Sequence, residues 1–295
     1  LILIVFIMII SRFAPSPTGF LHLGHAYSAL LAFQLAKTSN GLFKLRIEDI
    51  DLIRCKKIFH NKIYYDLNWL GVKWEKDVFV QSDRINIYKK YINFLNDRGL
   101  VYGCECSRSD INNALSALDK PFKCPNTATY PGTCRKKKLD IWSNNIRINI
   151  DKINHHLDSP TLSFNEKGLG PNGEKGIQQF DLQWFKQTLG DIVIARRDIR
   201  TSYHLASTID DFHQNVSLVT RGNDLFYDTP IHVLLQKLFN FKIPNFYHHK
   251  LINDQNGKKL SKSKNSESLN QLREKGMSLD AVSYTHLTLP TTSCV

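Results

Sequence analysis

The stretch RFAPSPTGFLHLGH, from Arg12 to His25, constrains this chain most, because it joins a buried strand, a turn and the start of a helix. The apolar residues before Arg12 are typical of a buried parallel strand, and two prolines and a glycine then force the chain to turn. Leucines recur at helical spacing up to Lys37, and Gly41 is placed to end that helix. The sequence therefore predicts a strand–turn–helix unit here.

Two histidines lie at the predicted helix start. His22 and His25 are three residues apart, so they would share one side of the first turn. Unpaired backbone N–H groups and the helix dipole favour a phosphate at that position. Gly24 leaves no side chain to block a flat ring or a phosphate. The pair predicts a nucleotide site, and the alternative from these residues alone is a helix cap or a surface feature.

Composition bounds the class of protein. The 295 residues, 42% of them apolar, suffice for one large α/β domain with an insertion or for two modest domains. A net charge of +12 indicates a polyanionic partner, above all nucleic acid, unless it is simply surface lysine. Six cysteines show no disulfide framework, which favours a cytoplasmic protein. The ten apolar residues at the start are too few to span a bilayer, so we expect no membrane partner, and Met8 is a candidate start.

A second strand is predicted from Phe43 to Glu48, where apolar and charged residues alternate. The alternation leaves Lys44, Arg46 and Glu48 on one side. Glu48 would then lie at the carboxyl end of a strand, which is the edge where ligands bind in open α/β sheets. The turn that contains the two histidines leaves the first strand at the same edge. Helices are predicted over 55–70 and 84–96.

Three cysteines with metal-ligand spacing follow. Cys104 and Cys106 are two apart and Cys134 lies 28 residues further on, so the three can close a tetrahedral zinc site. Cys124 offers a further thiol, which zinc would ordinarily prefer to an oxygen ligand. The alternative is a group of buried, reduced cysteines in a loop-rich insertion.

The second half of the chain predicts strands over 146–150 and 190–197, separated by polar, glycine-containing loops over 151–179. Arg221 precedes Gly222 at a predicted strand end, where a recognition residue would lie. A helix should begin near Asp228-Thr-Pro230. The run from Gly257 to Lys264 supplies mobile ammonium groups that suit a triphosphate, although alone it would be a solvated surface or a general RNA patch.

Four motifs in this order resemble the class I aminoacyl-tRNA synthetases of the glutamate branch: RFAPSPTG, HLGH, LRIEDID and KLSKS. The resemblance implies an α/β fold, with a Rossmann-type parallel-sheet catalytic domain, an inserted zinc-binding subdomain that meets RNA, and a short helical C-terminal region. The implied bounds are 8–100 and 191–264 for the two catalytic halves, 101–190 for the insertion and 265–281 for the start of the helical region. We interpret 282–295 as a non-native tail.

The resemblance also implies an enzyme, a ligase that activates L-glutamate with ATP and Mg²⁺ as glutamyl-adenylate and passes the glutamyl group to RNA. The implied catalytic residues are His22, His25, Lys259 and Lys262, and ATP would contact His22, Gly24, His25 and Lys262. Those for glutamate are Arg12, Phe13, Ala14, Pro15, Ser16, Glu48, Tyr203 and Arg221. Arg12 with Glu48 could instead form a structural pair in the sheet, and Tyr203 could be a half-buried aromatic. The implied structural zinc ligands, for one ion per chain, are Cys104, Cys106, Tyr130 and Cys134.

The implied acceptor follows from the branch of the family that the chain resembles. It is similar to short paralogues of glutamyl-tRNA synthetase that lack an anticodon domain, and the pattern CxC…YxxxC favours them. That likeness implies a monomer that glutamylates queuosine in the anticodon stem-loop of tRNA(Asp). The alternatives are a fragment of a glutamyl-tRNA synthetase that charges the 3′ end of tRNA(Glu), a small-molecule adenylyltransferase, and an RNA-binding module without catalysis.

Overall fold

The computed structural model describes residues 8–116, 129–252 and 267–278. Within them the helices are α1 Leu23–Thr38, α2 Lys57–Trp69, α3 Ile85–Asp97, α4 Arg108–Ser116, α5 Leu182–Thr188, α6 Tyr203–His213, α7 Thr229–Leu238 and α8 Leu269–Glu274. The strands are β1 Ile10–Phe13, β2 Leu42–Ile47, β3 Phe79–Val80, β4 Val101–Cys104, β5 Asn145–Ile148, β6 Thr161–Glu166, β7 Gly176–Asp181, β8 Val193–Ala195, β9 Leu218–Gly222 and β10 Asn245–His249. The predicted lysine loop, Cys124 and the tail after residue 281 lie outside the described residues.

Two groups of parallel strands carry the fold. The first has the order β1-β2-β3, and the second has the order β7-β6-β10-β9, with only β7 antiparallel. They meet where the Ser217 amide donates to the Ile10 carbonyl at 2.9 Å. Further along, Arg12 donates to the Thr220 carbonyl, so β1 and β9 run in the same direction. The predicted α/β fold with a parallel sheet is confirmed.

The order of strands changes direction between β1 and β9, since the chain adds β2 and β3 on one side of β1 and returns to add β9 and β10 on the other. In open α/β sheets the crevice at such a reversal, outside the carboxyl ends of the strands, is where ligands bind. The turn after β1 contains the two histidines, and β9 ends at Gly222 beside Arg221. The topology therefore places the histidine pair and Arg221 at one crevice.

Helix α1 packs on the sheet mainly through alanines, and only one of the leucines whose spacing predicted it is fully buried. Its buried residues are Ala26, Ala29, Leu31, Ala32 and Ala36. The Ser11 hydroxyl on β1 donates to the Ala32 carbonyl at 2.6 Å, a contact that only a close approach of helix and strand allows. Small side chains thus set the depth at which the helix start meets the crevice.

A separate antiparallel sheet has the order β4-β5-β8. The strand predicted over 190–197 is only β8. The loops predicted over 151–179 are wrong in part, because β6 and β7 form a hairpin there, paired from Thr161 with Asp181 to Glu166 with Gly176. Exposure alternates along β7, as expected for an edge strand with one face in water, and this polarity hid the strand from the sequence.

Among the described residues, no helix is both long enough and apolar enough to cross a membrane.

Candidate active site

A cavity of about 430 Å³ lies at the crevice between β1 and β9. Every predicted ATP- and glutamate-binding residue that the structure describes lines it: Arg12, Phe13, Ala14, Pro15, Ser16, His22, Gly24, His25, Glu48, Tyr203 and Arg221. These residues are spread over more than 200 positions of sequence. The fold thus brings the predicted set together in one place, while Lys259 and Lys262 lie outside the described residues.

The histidine pair caps α1. The His22 Nδ1 accepts from the Gly24 amide at 3.1 Å, and the His25 Nδ1 accepts from the His22 amide at 3.2 Å. Both histidines therefore act as helix caps, as the alternative interpretation predicted. Because Nδ1 of each ring accepts a hydrogen bond, a neutral ring carries its proton on Nε2. The two rings, with centroids 3.8 Å apart, are held by their caps in the cavity wall as hydrogen-bond donors.

The His22 ring gives a second reason for a glycine at position 24. A Cβ at this position would lie 3.0 Å from Cε1 and 3.1 Å from Nδ1 of His22, which is closer than a relaxed contact. The absence of a side chain lets the His22 ring fold over the helix start, and a ligand is not needed to explain it. Gly24 still lines the cavity beside both histidines.

Arg12 and Glu48 do not pair with each other; each belongs to a buried network around Asp211. The Arg12 Nε donates to Asp211 at 2.9 Å and the Arg46 Nη1 donates to the same oxygen at 2.7 Å. Arg46 also binds Glu48 at 3.2 Å. Burial alone would raise the pKa of Asp211, but the two arginines hold it below its ordinary value. Two guanidinium groups and two carboxylates thus balance in charge.

Arg221 is buried without such a partner. Its Nη1 donates to the Tyr203 hydroxyl at 3.1 Å, its Nη2 to Thr229 Oγ1 at 2.7 Å and its Nε to His248 Nε2 at 3.2 Å. Only 6% of the residue is exposed, and none of the ion pairs within 4 Å among the described residues includes it. A buried guanidinium held only by uncharged groups is costly, and a carboxylate that enters the cavity would offset that cost.

Sequence reasoning missed part of this site. The further lining residues are Ser28, Thr220, Gly222, Asp224, Leu225, His249, Leu251 and Ile252. His249 lies at the end of β10, where its Nε2 lies 2.9 Å from the Ser28 hydroxyl. The signal available was its place at the carboxyl end of a short strand that contains Phe246 and Tyr247, since the carboxyl ends of parallel strands meet at one edge.

A second cavity, of about 420 Å³, adjoins the first and shares Ser16, Glu48 and Tyr203 as walls. Arg54, just before α2, and Arg196, just after β8, both line it. No motif in the sequence predicted this cavity, because its walls come from the turn before α2 and from the segment that joins β8 to α6. A group bound there would lie next to one bound at Glu48.

The four predicted zinc ligands also meet. The sulfur atoms of Cys104, Cys106 and Cys134 lie within 4.8 Å of one another. The Tyr130 hydroxyl lies 3.3 Å from the Cys104 Sγ and accepts from the Cys134 amide at 2.9 Å. The chain would tolerate no Cβ at Gly190, which would lie 2.3 Å from the Tyr130 carbonyl oxygen. Tyr130 is therefore fixed by its backbone as well as by its ring.

A guanidinium contacts two of the four predicted ligands. The Arg147 Nε donates to the Cys104 Sγ at 3.2 Å, and its guanidinium lies 3.8 Å above the Tyr130 ring. Burial raises the pKa of the Cys106 thiol to about 11. A bound cation would offset that rise by stabilising the thiolate. Three thiols and one phenol around one point match the tetrahedral donor number of zinc, so the residues fit a metal site.

Comparison with known proteins defines the class. The model of the family "tRNA synthetases class I (E and Q), catalytic domain" matches residues 8–284. The chain belongs to this family, in agreement with the crevice, the histidine pair and the sheet order described above.

The more particular likeness is to one short member. The chain is 42% identical over 270 residues to a "Glutamyl-Q tRNA(Asp) synthetase" of Rhodobacter capsulatus. The aligned region covers 91% of this chain and 96% of that protein. It is 33% identical to a glutamate–tRNA ligase of Hydrogenobaculum, of which it covers 57%. A crystal structure of a glutamate tRNA ligase from Elizabethkingia meningosepticum, in complex with its amino acid, superimposes with a TM-score of 0.68 at 26% identity, over 87% of this chain and 52% of that one. The chain thus spans little more than half of these ligases.

Proposed function

We propose that this protein activates L-glutamate with ATP as glutamyl-adenylate and transfers the glutamyl group to the queuosine base at the first anticodon position of tRNA(Asp). The observation that carries the proposal is Arg221, a buried guanidinium with uncharged partners in the same cavity as the capped histidine pair. The likeness to the Rhodobacter protein along nearly its whole length supports the acceptor. It favours the short enzyme over the alternatives of a synthetase fragment or an adenylyltransferase.

Glutamate is proposed to bind between Arg221 and Glu48, which lie on opposite sides of the β1–β9 reversal. Arg221 takes the side-chain carboxylate, since its fork of N–H donors suits a planar anion. Glu48 takes the ammonium group. Arg12 adds positive potential toward the α-carboxylate while Asp211 fixes its position. Ser16 and the backbone from Phe13 to Pro15 form the wall along the substrate.

The activation step is an in-line displacement at the α-phosphorus of ATP. An α-carboxylate oxygen of glutamate forms the new P–O bond as the bond to pyrophosphate breaks. The Nε2–H groups of His22 and His25 stabilise the charge that develops on the α-phosphate oxygens. Mg²⁺ that accompanies ATP neutralises charge on the phosphates. Lys259 and Lys262 are proposed to hold the leaving pyrophosphate, and no side chain of the protein acts as a covalent nucleophile.

The second cavity is the proposed site of the acceptor. Queuosine carries a cyclopentenediol, and either hydroxyl can attack the carbonyl carbon of the adenylate with release of AMP. Ser16, Glu48 and Tyr203 line both cavities, so the cavities adjoin. A hydroxyl bound in the second cavity would therefore lie close to the activated carbonyl in the first. Contacts to phosphates of the anticodon stem-loop would come from Arg54 and Arg196. The net charge of +12 adds a general attraction to the RNA backbone.

The test of the acceptor uses labelled glutamate with three RNAs. We expect label on tRNA(Asp) that contains queuosine, and none on tRNA(Asp) without it or on tRNA(Glu). Label on tRNA(Glu), or on tRNA(Asp) that lacks the modified base, would contradict the proposed acceptor. Activation is measured separately by glutamate-dependent ATP–pyrophosphate exchange without RNA.

One structural zinc ion is proposed at Cys104, Cys106, Tyr130 and Cys134. It would tie the end of β4 to the segment that begins at residue 129, so it would contribute directly to folding. Metal analysis of protein purified without chelator should give one zinc per chain. Cys106→Ser should release it and lower the Tm, whereas Cys55→Ser, outside the cluster, should keep the metal. Wild-type protein without zinc would refute the site.

A further inference from the structure

Three neighbouring parallel strands bring Glu166, His248 and Arg221 together, with Glu166 in register with Phe246, two residues before His248. Glu166 ends β6, His248 is the residue before the end of β10, and Arg221 lies at the same register on β9 as the direct partner of His248. All three side chains are buried. The row of side chains thus begins with a carboxylate on β6, continues with an imidazole on β10 and ends with the guanidinium of Arg221 in the cavity wall.

Hydrogen bonds set the state of the central ring. Glu166 Oε1 accepts from the backbone amides of Gly168 and His248, at 2.8 and 2.9 Å. Its other oxygen binds Nδ1 of the His248 ring. Because a carboxylate accepts and does not donate, the proton of the imidazole lies on Nδ1. Nε2 then has a lone pair, and it accepts from the Arg221 Nε at 3.2 Å and lies 3.2 Å from Thr229 Oγ1.

The ring is neutral. Burial lowers the pKa of His248 to about 4, although Glu166 acts in the opposite direction. A neutral acceptor fixes the direction of the Arg221 side chain and leaves its charge in place. A carboxylate at position 248 would also fix Arg221, but as an ion pair that competes with any carboxylate of the substrate.

We propose that Glu166 and His248 are a positioning pair, which holds Arg221 in place through a fixed imidazole tautomer and keeps its positive charge available for the side-chain carboxylate of the amino-acid substrate. This inference rests on the proposed function, because it takes Arg221 as the residue that binds glutamate. It assigns a task to two buried residues that touch no substrate and that no motif of the sequence indicated.

The kinetic test compares three substitutions of one residue in ATP–pyrophosphate exchange with the full chain. His248→Leu removes the acceptor of a charged donor, so the KM for glutamate should rise about 10-fold or more, with the KM for ATP little changed. His248→Gln offers an amide oxygen in place of Nε2 and should restore most of the affinity. His248→Glu should fix Arg221 but neutralise it, so it should raise the KM for glutamate and reduce the preference for glutamate over glutamine.

The matched control is His213, a second histidine that faces an arginine. Its Nδ1 lies 2.7 Å from the Arg84 Nη2, away from both cavities. His213→Leu should leave the KM for glutamate unchanged even if it lowers the Tm. A rise in the glutamate KM in His213→Leu that equals the rise in His248→Leu would overturn the proposal, because general destabilisation would then explain both.

Two further results decide the case where a variant does not fold. In wild-type protein labelled with ¹⁵N histidine, the His248 ring should show the Nδ1–H tautomer, and the Nε2–H tautomer would overturn the proposal. Glu166→Gln supplies only one acceptor oxygen for three N–H donors, so it should raise the KM for glutamate as His248→Leu does. Wild-type protein without glutamate-dependent exchange would instead refute the proposed function, whereas active wild type with unchanged His248→Leu kinetics refutes the positioning pair alone.

Discussion

Two buried arginines beside the same cavity are held in opposite ways. Arg12 donates to both oxygens of Asp211, which Arg46 also binds, so its charge is matched within the protein. Arg221 is held by a phenol, a hydroxyl and a neutral imidazole. Each is the residue before the last one of a parallel strand, at the same edge of the sheet, and both carry the same functional group. Only the charge of their partners differs.

This difference separates an arginine whose charge is already matched within the protein from one whose charge is available to a ligand. Removal of two charges from water costs several kcal/mol each, and a buried ion pair recovers that cost only with good geometry. In the Arg12 network, the carboxylates of Asp211 and Glu48 offset the cost of burying the two arginine charges. Arg221 has no ion pair within 4 Å among the described residues and interacts with Asp228 only from further away, so a substrate carboxylate would recover more of the cost there. Four substitutions test the contrast, in order of decreasing expected effect.

The largest effect is expected for Asp211→Asn. It leaves Arg12 and Arg46 facing a neutral amide, and the loss of one partner from a buried ion pair typically costs about 3–5 kcal/mol. The free energy of unfolding from urea titration measures it. Asp158→Asn, an exposed carboxylate, is the control and should change stability by less than about 0.5 kcal/mol.

The same variant has a signature in pH. The pKa of Asp211 is lower in the folded protein than its ordinary value, so its contribution is present above the unfolded pKa and is lost as the pH falls through the folded one. The stability difference between wild type and Asp211→Asn should therefore shrink below about pH 4. A difference that is constant with pH would mean that the carboxylate charge is not what stabilises the network.

His25 is expected to show the next largest effect, and it carries both roles in one ring. Its Nδ1 caps the helix while its Nε2 is the proposed donor to the α-phosphate. His25→Gln keeps an acceptor at the N3 position, which is ordinary in a capping box. We expect the Tm to stay close to that of wild type, while pyrophosphate exchange slows roughly 10²- to 10³-fold, as for loss of one preorganised donor. Equal exchange rates would leave His25 with the cap alone.

Arg221→Met should follow, with a loss of about 1.5–3 kcal/mol in kcat/KM for glutamate, the range for a hydrogen bond to a charged group. The KM for ATP should stay nearly constant. Because the substitution removes a buried charge that has no ion-pair partner within 4 Å among the described residues, the free energy of unfolding should fall only slightly. Arg12→Met is the matched control, since it leaves Asp211 with a single arginine and should lower stability markedly. If the two variants lost equal stability, the contrast between the arginines would fail.

Much of this site could be predicted from sequence because its residues occur in contiguous motifs. His22, Gly24, His25 and Glu48 follow strands that their own apolar patterns predict, and carboxyl ends of parallel strands meet at one edge. The His22 ring, which a Cβ at Gly24 would crowd, is a further reason for this glycine that the sequence did not indicate. Local pattern therefore located the site better than it explained each residue in it.

The partners that determine the roles could not be predicted. Asp211 lies in α6, 199 residues from Arg12, and nothing around either residue indicates their contact. Glu166 and His248 become neighbours only because β6 and β10 are adjacent in the sheet, and β6 itself was hidden by its polar hairpin. Charge balance depends on strand order and helix placement, which are properties of the whole fold and not of any segment.

The smallest predicted effect concerns Glu48, where the two regions meet. Its Oε1 accepts from Arg46 of the balanced network and from the Ser207 hydroxyl at 2.7 Å, while the residue also lines the cavity. Burial raises the pKa of Glu48 against the action of Arg46 and Ser207. Ser207→Ala removes one group that stabilises the carboxylate, so it should cost about 1 kcal/mol, or roughly fivefold in kcat/KM for glutamate.

The direction of the pH shift makes this last prediction specific. Glu48 must be ionised to bind the substrate ammonium, and kcat/KM reports the pKa values of the free enzyme. Without Ser207 the pKa of Glu48 rises further, so activity in Ser207→Ala should begin to fall at a higher pH than in wild type. Thr208→Ala is the neighbouring control, because its buried hydroxyl has no hydrogen-bond partner among the described residues. An acid limb that moves equally in both variants, or in neither, would detach Glu48 from the ammonium and leave it in the Arg46 network alone.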